Sequence, residues 1–430
     1  LSNWLRKGKI SSVQLTKIYL ERLKKYGPKL ECVITLTESL ALQQAAAADR
    51  EIAAGKWRGP LHGIPYGLKD LFDTKGIATT WGAESYQNRV PDSDATIVQK
   101  LQNAGAVLVA KLTLGALAYG DIWFGGQTKN PWNLKQGSSG SSAGSASAVA
   151  AGLVGFAIGT ETWGSISSPS ARCGIVGFRP TFGRVSRHGA MALCWSLDKV
   201  GPLTRTVDDA ALVFAAIAGV DTNDAAAIDA PVFLNFNNSI EKIKIGFVES
   251  EYSGPRQTPY DRNLLEKLRE LKADVAPISI PKEPYAEIIN MLISVEGAAA
   301  FDEMTRANQD DLLKWQADNA WPNTFRMTRL VPAVEYMQAR RVRRKFMKIA
   351  DDLFKNVDAI IAPASHGDLH ALTNMTGQPA LTLRIGRRDT GVPICATLWA
   401  PLFRDEQLLR IGRVIEEKVG LRALHPKVDW

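Results

Sequence analysis

The chain is poor in the residues that most often announce a chemistry. It has four cysteines and five histidines in 430 residues. Cys32, Cys173, Cys194 and Cys395 lie far apart with no Cys-x-x-Cys pair, which argues against a disulfide framework or a zinc ribbon and for reduced, buried thiols. The longest apolar stretch, 143–159, is full of Gly, Ala and Ser and too short to span a bilayer. No Walker-type phosphate loop, internal repeat or coiled coil is present. Charge is not blocked: a net +8 and a pI near 9.2 come from interleaved residues. The densest basic run, 340–345, falls inside a helical pattern without interleaved aromatics and reads as a solvated helix face, not a nucleic-acid or lipid patch. The first residue is Leu1 rather than methionine, so a trimmed leader and secretion stay open beside the cytoplasmic location that reduced thiols favour.

What the chain does contain is a length of 430 residues and 45% apolar content, enough for a large core. Helical spacing marks 11–27, with Gly27-Pro28 as its stop, and 38–55. Short apolar runs then alternate with helices: strands at 64–70, 106–111 and 156–160, helices at 94–104, 143–152 and 207–219. The second half repeats that texture, with strands at 242–249, 275–280, 359–363, 380–385 and 394–397 and helices at 260–272 and 405–419. Such alternation implies an α/β fold: a large mixed, mainly parallel sheet covered by helices on both faces. We expect one domain over 1–430, made of N-terminal helices (1–58), a catalytic core (59–220) and a helical insert or cap (284–355). The Asp-, Asn- and Ala-rich stretch 221–242 is the best candidate for a mobile connection.

The most informative segment is Gly137-Ser138-Ser139-Gly140-Ser141-Ser142-Ala143-Gly144. A flexible linker would not lead directly into the most apolar helix of the chain. Gly140-Ser141-Ser142-Ala143-Gly144 matches the G-x-S-x-G nucleophile elbow, with Ser142 at its centre and His366, His370 or His425 and Asp368 in the required chain order. A segment so rich in Gly and Ser generates that match easily. The alternative needs no histidine. Ser141, Ser165 twenty-four residues on, and Lys69 in Gly67-Leu68-Lys69-Asp70 supply a nucleophile, a relay and a base. A serine hydroxyl needs a base within hydrogen-bond reach, and a lysine serves only when burial lowers its pKa. Lys69 ends an apolar strand, and Asp70 is expected to point away from it. The pair His366 and His370 has helical metal spacing, but Gly367 and Pro363 argue for a loop and no metal is expected.

Several ordered motifs carry a resemblance. Gly63-Ile64-Pro65-Tyr66-Gly67-Leu68-Lys69-Asp70, the Ser/Gly run, Gly164-Ser165-Ile166, Cys173-Gly174-Ile175-Val176-Gly177-Phe178-Arg179-Pro180-Thr181 and Leu197-Asp198-Lys199-Val200-Gly201-Pro202-Leu203-Thr204-Arg205 together resemble the amidase signature family. The resemblance is strong over about 56–215 and thinner at 373–380. It implies the amidase signature fold, Ser165 as nucleophile, Ser141 as a bridging serine on a cis peptide, and Lys69 as base. It also implies an oxyanion hole from the backbone N–H groups of Thr162, Trp163, Gly164 and Ser165, each such donor supplying about 3–4 kcal/mol of barrier lowering. Tyr119, Trp123, Phe124 and Trp195 fall in regions that line the acyl site in relatives and point to an apolar or aromatic substrate.

The chain departs from the family in having Glu161-Thr162-Trp163-Gly164 where acidic-x-Gly-Gly is more usual, so bulky Trp163 must turn out of the oxyanion loop. Ser167 stands where members that hold polar carboxamides often have arginine, among them the amidotransferase component that works with charged transfer RNA. The expected activity is therefore cofactor-independent hydrolysis of a small amide, with esters and aryl carbamates (urethanes) open to the same machinery. The alternatives are a Ser142 esterase of the α/β-hydrolase type, an inactive amidase-fold binding protein, and a glutamine-dependent amidotransferase subunit. Monomer and homodimer both remain open.

Overall fold

The computed structural model describes residues 1–237, 239–253, 257–364 and 367–428. An 11-stranded sheet runs through them. It begins with β1 (Val33–Leu36), β2 (Pro65–Lys69) and β3 (Val107–Leu112). Two small hairpins follow outside it, β4 (Ile122–Trp123) with β5 (Gly126–Gln127) and β6 (Lys129–Asn130) with β7 (Asn133–Gly137). The sheet then gains β8 (Phe156–Glu161), β9 (Val176–Arg179) and β10 (Lys199–Thr204). Its far half is β11 (Lys244–Val248), β12 (Asp274–Ile278), β13 (Ala359–Pro363), β14 (Ala380–Arg387) and β15 (Pro393–Trp399). Spatial order is β1-β3-β2-β8-β10-β9-β14-β15-β13-β11-β12.

The fold is the large mixed α/β sheet expected, but the balance of directions is not. Only β2 with β3, β2 with β8, β11 with β12 and β11 with β13 are parallel, and the other neighbours are antiparallel. Strand–helix alternation reports that a connection is long, not the direction in which the next strand returns. In addition, β14 and β15 form a hairpin, which is necessarily antiparallel. Both faces are covered. In β3, Leu108 joins one core cluster while Val107 and Val109 join another, the period of two that puts neighbours on opposite faces.

Local departures have local reasons. The first long helix does not stop at Gly27-Pro28 but spans Ser12–Leu30, closed by Glu31 in the left-handed region. Gly27 serves space instead: a Cβ there would lie 3.2 Å from Val33 Cγ2. The strands β1, β9 and β10 were not expected, being short or broken by Gly and Pro. The segment after Gly367, expected as a loop, is the helix Asp368–Thr376, because Gly367 precedes the helix instead of interrupting it. His366 lies outside the described residues. In 221–242 there is no regular element among the described residues, yet its start is pinned. Asp221 accepts from Thr96 Oγ1 and Ser186 Oγ at 2.5 Å each, and Asp224 pairs with Arg187 at 2.9 Å. Among the described residues no helix is long and apolar enough to cross a membrane.

The basic run lies on the helix Ala333–Phe354. Arg341, Arg344 and Lys345 are exposed, while Arg343 donates to Met375 O and Ser196 O and so clamps the helix to the body. On β3, the second strand from one edge of the sheet, Lys111 is fully buried against Asp70 at 2.9 Å. Removing one partner of a buried pair costs about 3–5 kcal/mol. Lys111→Met is therefore expected to lower unfolding free energy by that amount in guanidinium titration, and a loss below about 1 kcal/mol would contradict this account.

Candidate active site

The parallel neighbours β2 and β8 end side by side, with Leu68 opposite Ile158, so Lys69 emerges next to Thr160. Lys69 is fully buried and its Nζ donates to Ser141 Oγ at 2.8 Å, Thr160 Oγ1 at 2.8 Å and Ser142 Oγ at 3.1 Å. Three hydroxyls saturate the three protons of an ammonium. A neutral amine has two protons and a lone pair, so one hydroxyl must then donate to it. Burial lowers the Lys69 pKa to about 7, against opposing pulls from Asp198 and Glu161. Asp70 points away, as expected, toward Lys111 and toward Thr80, whose N and Oγ1 lie at 2.7 and 2.6 Å.

The second strand of the site is the loop that runs from β7 into the helix Ala143–Ala150. Its Gly140–Ser141 peptide is cis. Gly140 passes so close to the chain that a Cβ would fall 1.7 Å from Gly120 O, so no larger residue fits. Asp121 Oδ2 holds Ser139 N at 2.9 Å. Ser142 is buried and occupied: its Oγ lies between Lys69 Nζ and the backbone of Thr160, accepting from Thr160 N and donating to Thr160 O. The elbow reading is thereby overturned, because an elbow serine stands exposed beside a histidine. Here His370 Nε2 sits 3.7 Å from Glu161 and His425 faces Pro426 O.

The turn after β8 brings the third segment. Glu161 is fully buried; its Oε2 accepts from Ile166 N (2.9 Å), Ser167 N (2.8 Å) and Ser167 Oγ (2.8 Å), and its Oε1 meets Arg179 at 2.6 Å. Burial opposes its charge, but Arg179, His370 and the Ser167 N–H hold its carboxyl well below the usual range. With 166 and 167 satisfied by that carboxylate, the N–H groups of Trp163, Gly164 and Ser165 find no protein acceptor among the described residues. Gly164 has φ +91°, which turns the chain here. Ser165 is 9% exposed and its carbonyl accepts from Ser142 N at 3.2 Å, which joins the two loops.

Ser141, Thr162, Trp163 and Ser165 line one cavity of about 890 Å³, with Lys69 behind Ser141. Tyr119 lines it too, its ring 4.8 Å from Trp315 and 4.9 Å from Trp321. Trp163 turns its ring to the wall and packs on the core. Trp195 is 46% exposed and lines a side recess of about 230 Å³ that reaches Thr160, Thr162 and Asp198. Trp123 and Phe124 do not line the cavity; they pack on each other at 4.8 Å in the β4–β5 hairpin, where burial of Trp123 serves the loop. The walls that sequence reasoning missed, Asn290, Ile293, Asn319, Trp321 and Thr324, come from the helical segment 285–328, where no motif marks them. Thr160 was missed as well, although its place two residues before Thr162 puts both on one face of β8 and its extension.

Comparison with known proteins gives the family and the fold. The family model described as Amidase matches residues 14–370. A glutamyl-tRNA(Gln) amidotransferase subunit from Roseiflexus castenholzii is 34% identical over 99% of this chain and 96% of its own. The native peptide amidase of Stenotrophomonas maltophilia superposes with a TM-score of 0.90 at 30% identity, covering 100% of this chain and 97% of that one. The corresponding glutamyl-tRNA(Gln) amidotransferase subunit from Thermotoga maritima gives 0.81 at 27% identity over 97% and 95%.

Burial that brings the Lys69 pKa to about 7 gives it, as the expected base, a pH signature. Labelling of Ser165 by a fluorophosphonate is expected to rise roughly tenfold per pH unit below that value and level off above it. A rate that stays flat through the same range would reject Lys69 as the base.

Proposed function

The chain belongs to the amidase signature family, and from that premise we propose that it cleaves a C–N amide bond through an acyl-enzyme on Ser165. The observation that carries the reading is the 2.8 Å contact between Lys69 Nζ and Ser141 Oγ, made by a lysine whose burial brings its pKa to about 7. Neutral Lys69 takes a proton from Ser141 as Ser141 takes one from Ser165, and Ser165 Oγ attacks the carbonyl carbon. Negative charge develops on the carbonyl oxygen, where the unbonded N–H groups of Trp163, Gly164 and Ser165 are available to receive it. The proton returns through Ser141 to the leaving amine. Water then attacks the ester by the same route and releases the acid. Esters and aryl carbamates present the same carbon and the same developing oxyanion.

Tyr119, Trp163, Ile293 and Trp321 give part of the cavity wall an apolar and aromatic face that suits an apolar or aromatic acyl group, beside polar Asp121, Gln127, Asn290 and Asn319. Ser167, at the position of the family's frequent arginine, is held by Glu161, so no guanidinium comes from that position, although Arg172 lines the same cavity. A second reading has its own support. Curated relatives that match nearly the whole chain, one of them at 34% identity, are named as amidotransferase subunits. In that reading Ser165 releases ammonia from an amide for a partner to use, and activity depends on the partner.

Hydrolysis of p-nitroacetanilide and a short aryl carbamate by the isolated chain tests both readings. Ser165→Ala is expected to abolish turnover, and Lys69→Ala to lower kcat by roughly a hundredfold to ten-thousandfold. Ser142→Ala, which removes one contact to Lys69, should cost about tenfold. Full activity in Ser165→Ala would overturn the proposal. A chain silent alone that releases ammonia from glutamine once amidotransferase partner subunits are added would favour the second reading.

A further inference from the structure

The motif Leu197-Asp198-Lys199-Val200-Gly201-Pro202 takes no part in the chemistry above, yet it borders the site. Strand β10 runs antiparallel to β8 with Lys199 opposite Glu161, so Asp198 stands beside Thr162 just beyond the paired ends. Asp198 Oδ1 accepts from Thr162 Oγ1 at 2.5 Å, and Oδ2 accepts from Leu193 N at 2.9 Å and Cys194 N at 3.0 Å. Leu193 lines the cavity, and Thr162 opens the turn that carries the unbonded N–H groups. One carboxylate thus fastens the oxyanion turn to the apolar wall. We infer that Asp198 is a positioning residue for amide cleavage, acting through Thr162 on the 162–165 turn. The inference rests on the reading of Ser165 as nucleophile.

A purely structural role would need less. The turn over 194–198 is already closed by Asp198 N donating to Cys194 O at 2.8 Å and by the two contacts to Oδ2. The bond to Thr162 is additional to that turn. Thr160 and Thr162 share one face of β8 and its extension, one touching Lys69 and the other Asp198. The charges around Lys69 are few. Glu161 bears on it from β8 but is matched by Arg179 at 2.6 Å. Lys199 directs its Nζ to Leu197 O and Asn374 O. Asp198 itself accepts only neutral donors, so its field reaches Lys69 without a paired cation at hydrogen-bond distance. Burial raises the Asp198 pKa while the Thr162, Leu193 and Cys194 donors restrain that rise. Deleting its charge makes the ammonium form of Lys69 less favourable, so neutral Lys69 persists to lower pH.

Two variants separate position from charge. Thr162→Val removes the bond and keeps the carboxylate; Asp198→Asn keeps the shape and removes the charge. Each is followed by kcat and KM against pH, and by NMR titration of Lys69 with ¹³C at Cε, which needs no turnover. Thr162→Val is expected to lower kcat about tenfold, the worth of one hydrogen bond to a charged group, with KM little changed and the acid limb unmoved. Asp198→Asn should lower kcat similarly and move both the acid limb and the Lys69 titration to lower pH. A folded Asp198→Asn with the parent Lys69 titration, or a Thr162→Val with kcat within about twofold of the parent, would overturn the inference. A parent that cleaves no amide, together with a shifted Lys69 in Asp198→Asn, would sink the proposed function and leave the placement of Asp198 standing.

Discussion

An amine buried without a counterion is the constraint on which this site depends. Two lysines on neighbouring strands, one register position apart, have no exposure to solvent, and the protein treats them differently. Lys111 meets Asp70 at 2.9 Å and is a structural ion pair. Lys69, on the adjacent strand, meets three hydroxyls and no carboxylate at contact distance. Hydroxyls satisfy the hydrogen-bonding of either charge state without strongly favouring the ammonium, so burial decides the balance. The sheet makes both environments available because neighbouring strands end at nearly the same height with buried faces on either side.

The loop around Ser165 is governed by the opposite device. Glu161 is a fully buried carboxylate with a full complement of donors, and Arg179 that neutralises it also bonds Thr373 Oγ1 and Gln378 O. The turn is therefore anchored to the far half of the sheet, through residues two hundred positions away in the chain. In the proposed mechanism, order in that turn matters because its unbonded N–H groups would receive the developing charge. An unsatisfied donor survives in a protein only where the surrounding bonds prevent it from turning elsewhere.

Much of this was legible in the sequence, and the reasons are specific. Lys69, Ser141 and Ser165 stood out because small residues in ordered motifs leave few packing explanations, and the strands at 64–70, 106–111 and 156–160 carried clear apolar runs. The direction of the strands was hidden, since apolar runs separated by long connections look alike whichever way the chain returns. The elbow match at Ser142 failed because a pattern of Gly and Ser records where the backbone is tight, not which hydroxyl faces the cavity. Trp123 and Phe124 fell on the loop that borders the site, but a two-residue strand turned them onto each other. Trp321 and Ile293 were out of reach because walls contributed by ordinary helices have no local signature.

The division of labour along the chain has a consequence of its own. The reacting groups and the donors around them all lie between 69 and 165, on strand ends and the loops next to them. Much of the facing wall comes from the segment 285–328, far along the chain from Lys69 and the 162–165 turn. The proposed reaction and the shape of the cavity wall thus rest on separate stretches of the chain. Substitutions in the helices can change that wall while Lys69, Ser141 and Ser165 stay in place, and the same architecture occurs in a peptide amidase and in an amidotransferase subunit.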